Sequence, residues 1–291
     1  MTKPSQKRPE ELNPAAPLQA ILSENIAADR RAYAGAWNRA ELIGHVLGQD
    51  ERFRRLGEML ALDPARDQPI RQFDFDSAGS HLMSLSTAGS SEHLFVVAPP
   101  YDTEWTSFQP PGASGTAARG PSALKQTGKM SIDLVETYVD RPVAEGGWMW
   151  AGAGVGIWFK PKSPSTYVRV SGLVQYDYWW RDDSNLQVAH NRAQICKLIY
   201  RWIGPGNLQV VHDRRDWLWQ DGTSWYETHE DSGGGYWSNQ DFFWASSNEW
   251  YLVWFWCNGG IDFATKTTIG SSTARQIWNV RVPFVVFEQW A

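Results

Sequence analysis

The chain has 291 residues, a formal net charge of −5 and a charged fraction of 20%. That length allows one large β domain, or one domain with a smaller module, and a core that needs no disulfide or metal to hold it. The mild acidity argues against capture of nucleic acid or of an anionic membrane by charge, and no stretch nears the roughly eighteen uninterrupted apolar residues of a membrane span.

Residues 1–17 contain four prolines among many charges and predict a flexible arm. The start of the chain lacks the apolar segment of a signal peptide. The expectation is therefore a soluble protein, cytoplasmic by default, with non-classical export left open. Over residues 18–66 the pattern becomes helical. Leu18, Ile21, Leu22 and Ile26 fall near helical spacing, as do Leu42, Ile43, Val46 and Leu47, then Phe53, Leu56, Met59 and Leu60, before Asp63-Pro64 stops the run. Their apolar stripes are thin, so these helices are expected to pack on the rest of the chain, on a second copy or on a partner. Residues 67–128 read as a linker and irregular loop region, Ser/Gly/Pro-rich, with one short strand at His93–Ala98 closed by Pro99-Pro100.

From Lys129 the period is two. Between Tyr167 and Trp180 the even positions Val168, Val170, Gly172, Val174, Tyr176, Tyr178 and Trp180 share one face, opposite Arg169, Ser171, Gln175 and Asp177. Such alternation predicts an antiparallel strand with one face in a core. Further strands are predicted over 130–139, 151–159, 188–202, 208–211, 216–219, 224–228, 241–245, 249–257 and 274–290. Asp221-Gly222 has the chemistry of a two-residue hairpin turn. The fold class expected is mainly β: an antiparallel β sandwich of jelly-roll type over residues 129–291, with a small helical N-terminal segment.

The chain carries 18 tryptophans, all but Trp37 at or after Trp105. Trp250, Leu252, Trp254 and Trp256 alternate with Tyr251, Val253, Phe255 and Cys257, so this strand is apolar on both faces and belongs in a core. Cys196 and Cys257 both lie in apolar runs and are expected as buried thiols, although sequence does not exclude a bond between them. Gly152, Gly154 and Gly156 alternate along one strand face, which is no nucleotide-binding loop but lets a large ring such as Trp148 or Trp158 approach the backbone.

Trp217, Trp219, Trp225, Tyr226, Trp237 and Trp244 are different. They are interleaved with Asp213, Arg214, Arg215, Asp216, Asp221, Glu227, His229, Glu230 and Asp231. Burying all these rings would desolvate the charges beside them. Exposed rings among carboxylates and amides suit a sugar, whose apolar face stacks on the ring while its hydroxyls are hydrogen-bonded. The ligand-binding residues expected are Trp217, Trp219, Asp221, Trp225, Tyr226, Trp237 and Trp244. The expected function is a non-enzymatic, lectin-like protein that binds carbohydrate or a surface glycan. Two alternatives stand beside it. One is a structural subunit of a homo-oligomer joined through residues 1–80; the other is a carbohydrate-active hydrolase using Glu227 with Asp241 or Glu249. No cofactor is expected. His212, Asp213 and Asp216, or His229, Glu230 and Asp231, lack the spacing of a metal loop. There is no Gly-x-Ser-x-Gly elbow for a serine nucleophile.

Overall fold

A computed structural model of the chain describes residues 94–109, 120–139, 148–185, 188–204, 207–223, 226–264 and 271–290. The arm, the helices expected over 18–66, Trp225 and most of the loop before Gly120 lie outside these residues.

Every regular element among the described residues is a strand. In chain order they are β1 (Leu94–Val97), β2 (Thr103–Gln109), β3 (Ser122–Leu124), β4 (Lys129–Val139), β5 (Trp148–Phe159) and β6 (Thr166–Asn185). There follow β7 (Val188–Gly204), β8 (Asn207–Gly222), β9 (Thr228–Ala245), β10 (Trp250–Ala264), β11 (Ser271–Arg281) and β12 (Val285–Trp290). They form two antiparallel sheets. The first runs β3-β4-β11-β6-β9, with β12 continuing β11 along β6 and β1 paired to β12. The second runs β2-β5-β10-β7-β8. Strands β1, β2 and β3 belong to these sheets, so the sheets draw on the chain from Leu94 onward, ahead of the boundary expected near Lys129.

Two local expectations are corrected. Positions 274–290 are not one strand: Pro283, which has no amide to give the ladder, sits between β11 and β12. Asp221-Gly222 is not a two-residue hairpin, because β8 runs through Gly222 in one sheet and the chain enters the other sheet at Thr228.

The even face of β6 points inward, as its alternation predicts, with Val168, Val170 and Val174 buried. Opposite them lie the odd positions of β10, Tyr251, Val253, Phe255 and Cys257, in one continuous core. The Phe255 ring packs where a Cβ on Gly172 would stand, 2.7 Å from its Cζ. That close approach locks the sheets together at mid-strand.

The outer face of the second sheet is also apolar. Leu198, Tyr200, Leu252, Trp254 and Trp256 are all 0% exposed there and form a second cluster. Strand β10 is central in its sheet and buried on both faces. The large ring over the Gly154 and Gly156 face is Trp254, from the neighbouring strand, rather than Trp148 or Trp158. The exchange is mutual, since Trp150 of β5 covers Gly260 of β10. Cys196 belongs to the outer cluster and Cys257 to the core between the sheets, so the two thiols are free and lie on opposite faces.

Candidate functional site

Three neighbouring strands of the first sheet place aromatic side chains on its outer face. In strict register, Trp244 of β9 lies opposite Tyr167 of β6, which lies opposite Trp290 of β12. The next outward row is Phe242, Arg169 and Glu288, and the one after it is Gln240, Ser171 and Val286. The rings are in mutual contact: Tyr167 is 5.3 Å from Trp244, 5.7 Å from Phe242 and 6.4 Å from Trp290, centroid to centroid. All four are open to solvent, Trp244 at 69%, Phe242 at 44%, Trp290 at 41% and Tyr167 at 37%. Arg169 is salt-bridged to Glu288, and its guanidinium lies 5.5 Å from the Trp290 ring centroid. Two strand spacings, roughly 10 Å, separate the two indoles. The result is a flat apolar row edged by one ion pair and then by amide and hydroxyl groups.

The expected site residues do not share one surface. Trp244 is part of this platform. Trp219 and Trp237 are buried, each at 8%. Trp219 donates its indole N–H to Asn191 Oδ1 at 3.0 Å, and Trp237 donates to Asp216 Oδ2 at 2.7 Å. Trp217 is 43% exposed, but on the outer face of the other sheet. Two residues apart on a strand, Trp217 and Trp219 should face the same way. A β-bulge separates them, because Ala193 pairs with Trp219 while Gln194 pairs with Trp217, leaving Leu218 as the extra residue. Asp221 pairs with His229 Nδ1 at 2.8 Å. Tyr226 is exposed in the connection between the sheets, with a φ of 58°. Trp225 lies outside the described residues.

These contacts define a seam. Among the described residues, strands β8 and β9 are edge strands of the two sheets, and their inward side chains meet. His212 Nε2 lies 2.7 Å from Asp241 Oδ1, Asp216 accepts from Trp237, and Asp221 holds His229. Behind His212, Asp241 Oδ2 lies 2.5 Å from Nζ of Lys197, a lysine with no exposed side chain. Burial pulls the Lys197 pKa down to about 8, against the opposing pull of Asp241. Inward charge on an edge strand discourages pairing with another chain.

The hydrolase geometry is not met by the nominated carboxylates. Glu227 precedes β9 and Asp241 lies near its far end, about 45 Å away at roughly 3.3 Å per strand residue. A glycosidase pair stands within about 10 Å. Glu249 lies beyond the same far end and accepts from the Tyr251 hydroxyl at 2.7 Å. Among the described residues no group of three His, Cys, Asp or Glu is placed to hold a metal ion. No helix among them is long and apolar enough to cross a membrane.

Sequence reasoning missed Tyr167, Phe242 and Trp290. Parity alone puts Tyr167 with Arg169 on the outward face of β6, which was the available signal. Nothing local shows that residues 167, 244 and 290 are cross-strand neighbours. Exposure makes a direct prediction for indole oxidation of the native chain. Among the described tryptophans, Trp244, Trp217 and Trp290 should be modified first, and Trp254, Trp256 and Trp278, each 0% exposed, should survive until unfolding. Mass-spectrometric mapping of oxidised peptides reads the order.

Compared with protein-family models and with curated proteins, the chain matches none.

Proposed function

We propose that this chain is a non-enzymatic, lectin-like binding protein that takes an extended carbohydrate across the row Trp244, Tyr167 and Trp290. The observation that carries the reading is this exposed, in-register row. An extended glycan advances by about one strand spacing per sugar, so consecutive pyranose rings fall in step with consecutive strands. Arg169, Glu288, Gln240 and Ser171 supply donors and acceptors beside it for the hydroxyls. We also read the sandwich as jelly-roll in type, an architecture that hosts lectins. What supports that is the strand order, β4-β11-β6-β9 against β5-β10-β7-β8, in which both sheets draw alternately on early and late strands.

The test is binding of the full chain to a panel of β-linked polysaccharides, compared with Trp244→Ala and Trp290→Ala. Each ring is expected to contribute about 1 kcal/mol of stacking, and the double variant should bind at least about tenfold more weakly. No binding by the native chain, or unchanged binding by the double variant, removes this reading.

The same patch supports a second reading, self-association, because four contiguous exposed rings are also what an interface core uses. Light scattering separates the two. A monomer whose glycan binding depends on Trp244 favours carbohydrate, and an oligomer that the same substitutions dissociate favours assembly.

A further inference from the structure

Lys197 is a fully buried lysine between the two sheets. Its side chain is 0% exposed, and its Nζ donates to the carbonyl of Val170 at 3.0 Å. The Phe255 ring centroid lies 6.0 Å away. Asp241, itself 4% exposed, places Oδ2 2.5 Å from Nζ, yet that oxygen takes part in no hydrogen bond of ordinary geometry. The amine is thus held against the carboxyl group by the fold, with the Val170 carbonyl fixing its direction. The third member is His212 Nε2, 2.7 Å from the other carboxylate oxygen. His212 stands at the open side of the seam with its side chain 35% exposed.

We propose that Lys197 and Asp241 join in an intramolecular isopeptide bond, formed by the folded chain itself, that ties β7 of one sheet to the edge strand β9 of the other. The reacting groups need no third reagent. Within the ion pair a proton passes from Nζ to Oδ2, giving a neutral amine and a neutral acid. The nitrogen lone pair then attacks Cγ and forms the C–N bond. His212 donates to Oδ1 while the negative charge gathers there. The Cγ–Oδ2 bond breaks, and Oδ2 leaves as water carrying two protons that began on the ammonium. One ammonium and one carboxylate become one amide and one water, with no change of net charge or oxidation state. Burial assists the first step, because it lowers the Lys197 pKa to about 8 and so eases loss of the ammonium proton. The contact aligns two atoms whose effective concentration is set by the fold, which is how intramolecular attack becomes fast.

The decisive measurement is the mass of the intact, full-length chain under denaturing conditions. The expected result is a mass one water below that of the sequence, with a branched tryptic peptide joining the segments that contain Lys197 and Asp241. Lys197→Met and Asp241→Ala should each restore the full sequence mass. His212→Ala should retain the pair and slow the loss of water at least tenfold after refolding. A native chain that keeps the full sequence mass after prolonged incubation at pH 8 overturns the proposal. So does a loss of water that maps elsewhere, for instance to cyclisation at Asp221-Gly222. Loss of water that is unslowed in His212→Ala overturns the role given to that side chain.

Discussion

Gly156→Val should destabilise the fold by about 3 kcal/mol or more, near the upper end of what overpacking costs. An added Cβ at Gly156 would stand 2.4 Å from one atom of the Trp254 indole and 2.8 Å from the methyl carbon of Thr103. At Gly154 it would meet the same indole at 2.6 Å. The ring has no route of escape, because Trp254 is wholly buried among Cys196, Leu198, Leu252 and Trp256. Removing the ring is also costly. Trp254→Ala should lose about 3–5 kcal/mol by leaving a cavity over two bare glycines. The double variant is the informative one. Valine at 156 partly fills the space the indole vacates, so the combined loss should fall short of the sum by about 1–3 kcal/mol. Denaturant unfolding followed by far-ultraviolet circular dichroism measures all three. Additive losses would mean that Trp254 and Gly156 are not in contact.

That pair shows how far the sequence carried. Glycines on one strand face and tryptophans on another state that a flat ring meets bare backbone, but not which ring. The identity depends on register: Trp254 pairs with Gly156 across β10 and β5, some hundred residues apart in sequence. Alternation was enough to assign the inward face of β6 and the double burial of β10, because both follow from the strand period alone. It failed at Trp217 and Trp219, where one bulged residue sends side chains two apart to opposite faces. The Asp221-Gly222 turn failed for another reason. Its local chemistry favours a tight turn, but β8 and β9 are edges of different sheets, so tertiary pairing overrides it. The binding platform was the least legible feature. Tyr167, Trp244 and Trp290 come from three separate strands, and Trp244 alone sat in a stretch whose composition drew attention.

The edges explain why this long sandwich carries its charge where it does. Among the described residues, strand β9 is paired on one side only along its 18 residues, a length that invites addition of a foreign strand. Asp241 turns inward from that edge and is met by His212 and Lys197. The facing edge, β8, is bulged and carries Asp213, Arg214, Arg215 and Asp216, paired among themselves. Charge along the seam and rings on the outer face therefore divide two tasks. The seam keeps the edges closed, and the platform on β6, β9 and β12 stays an exposed apolar surface of that sheet.

Acid should weaken the fold through His190. Burial, with the Arg192 charge beside it, lowers its pKa from 6.5 to about 4, against the smaller opposing influence of Asp221. The sign follows from which state takes the proton. Between pH 6.5 and about 4 the unfolded chain binds a proton at this ring that the folded chain refuses, so stability falls as pH falls through that window. The contribution is fully present above pH 6.5, and about 2 kcal/mol of it should be gone by pH 4.5. Asp182 works in the opposite direction, since burial raises its carboxyl well above the ordinary range and the folded chain holds that proton more tightly. The net pH dependence of the native chain therefore mixes both groups, and the comparison with His190→Gln separates them. Unfolding free energies at pH 7, 5.5 and 4.5 should show the advantage of the native chain over the variant shrinking by about 2 kcal/mol across the series. An advantage that stays constant from pH 7 to 4.5 would mean that the folded chain accepts the proton at His190 as readily as the unfolded one. In that case the ring is open to water at the end of the sandwich rather than enclosed beside Arg192.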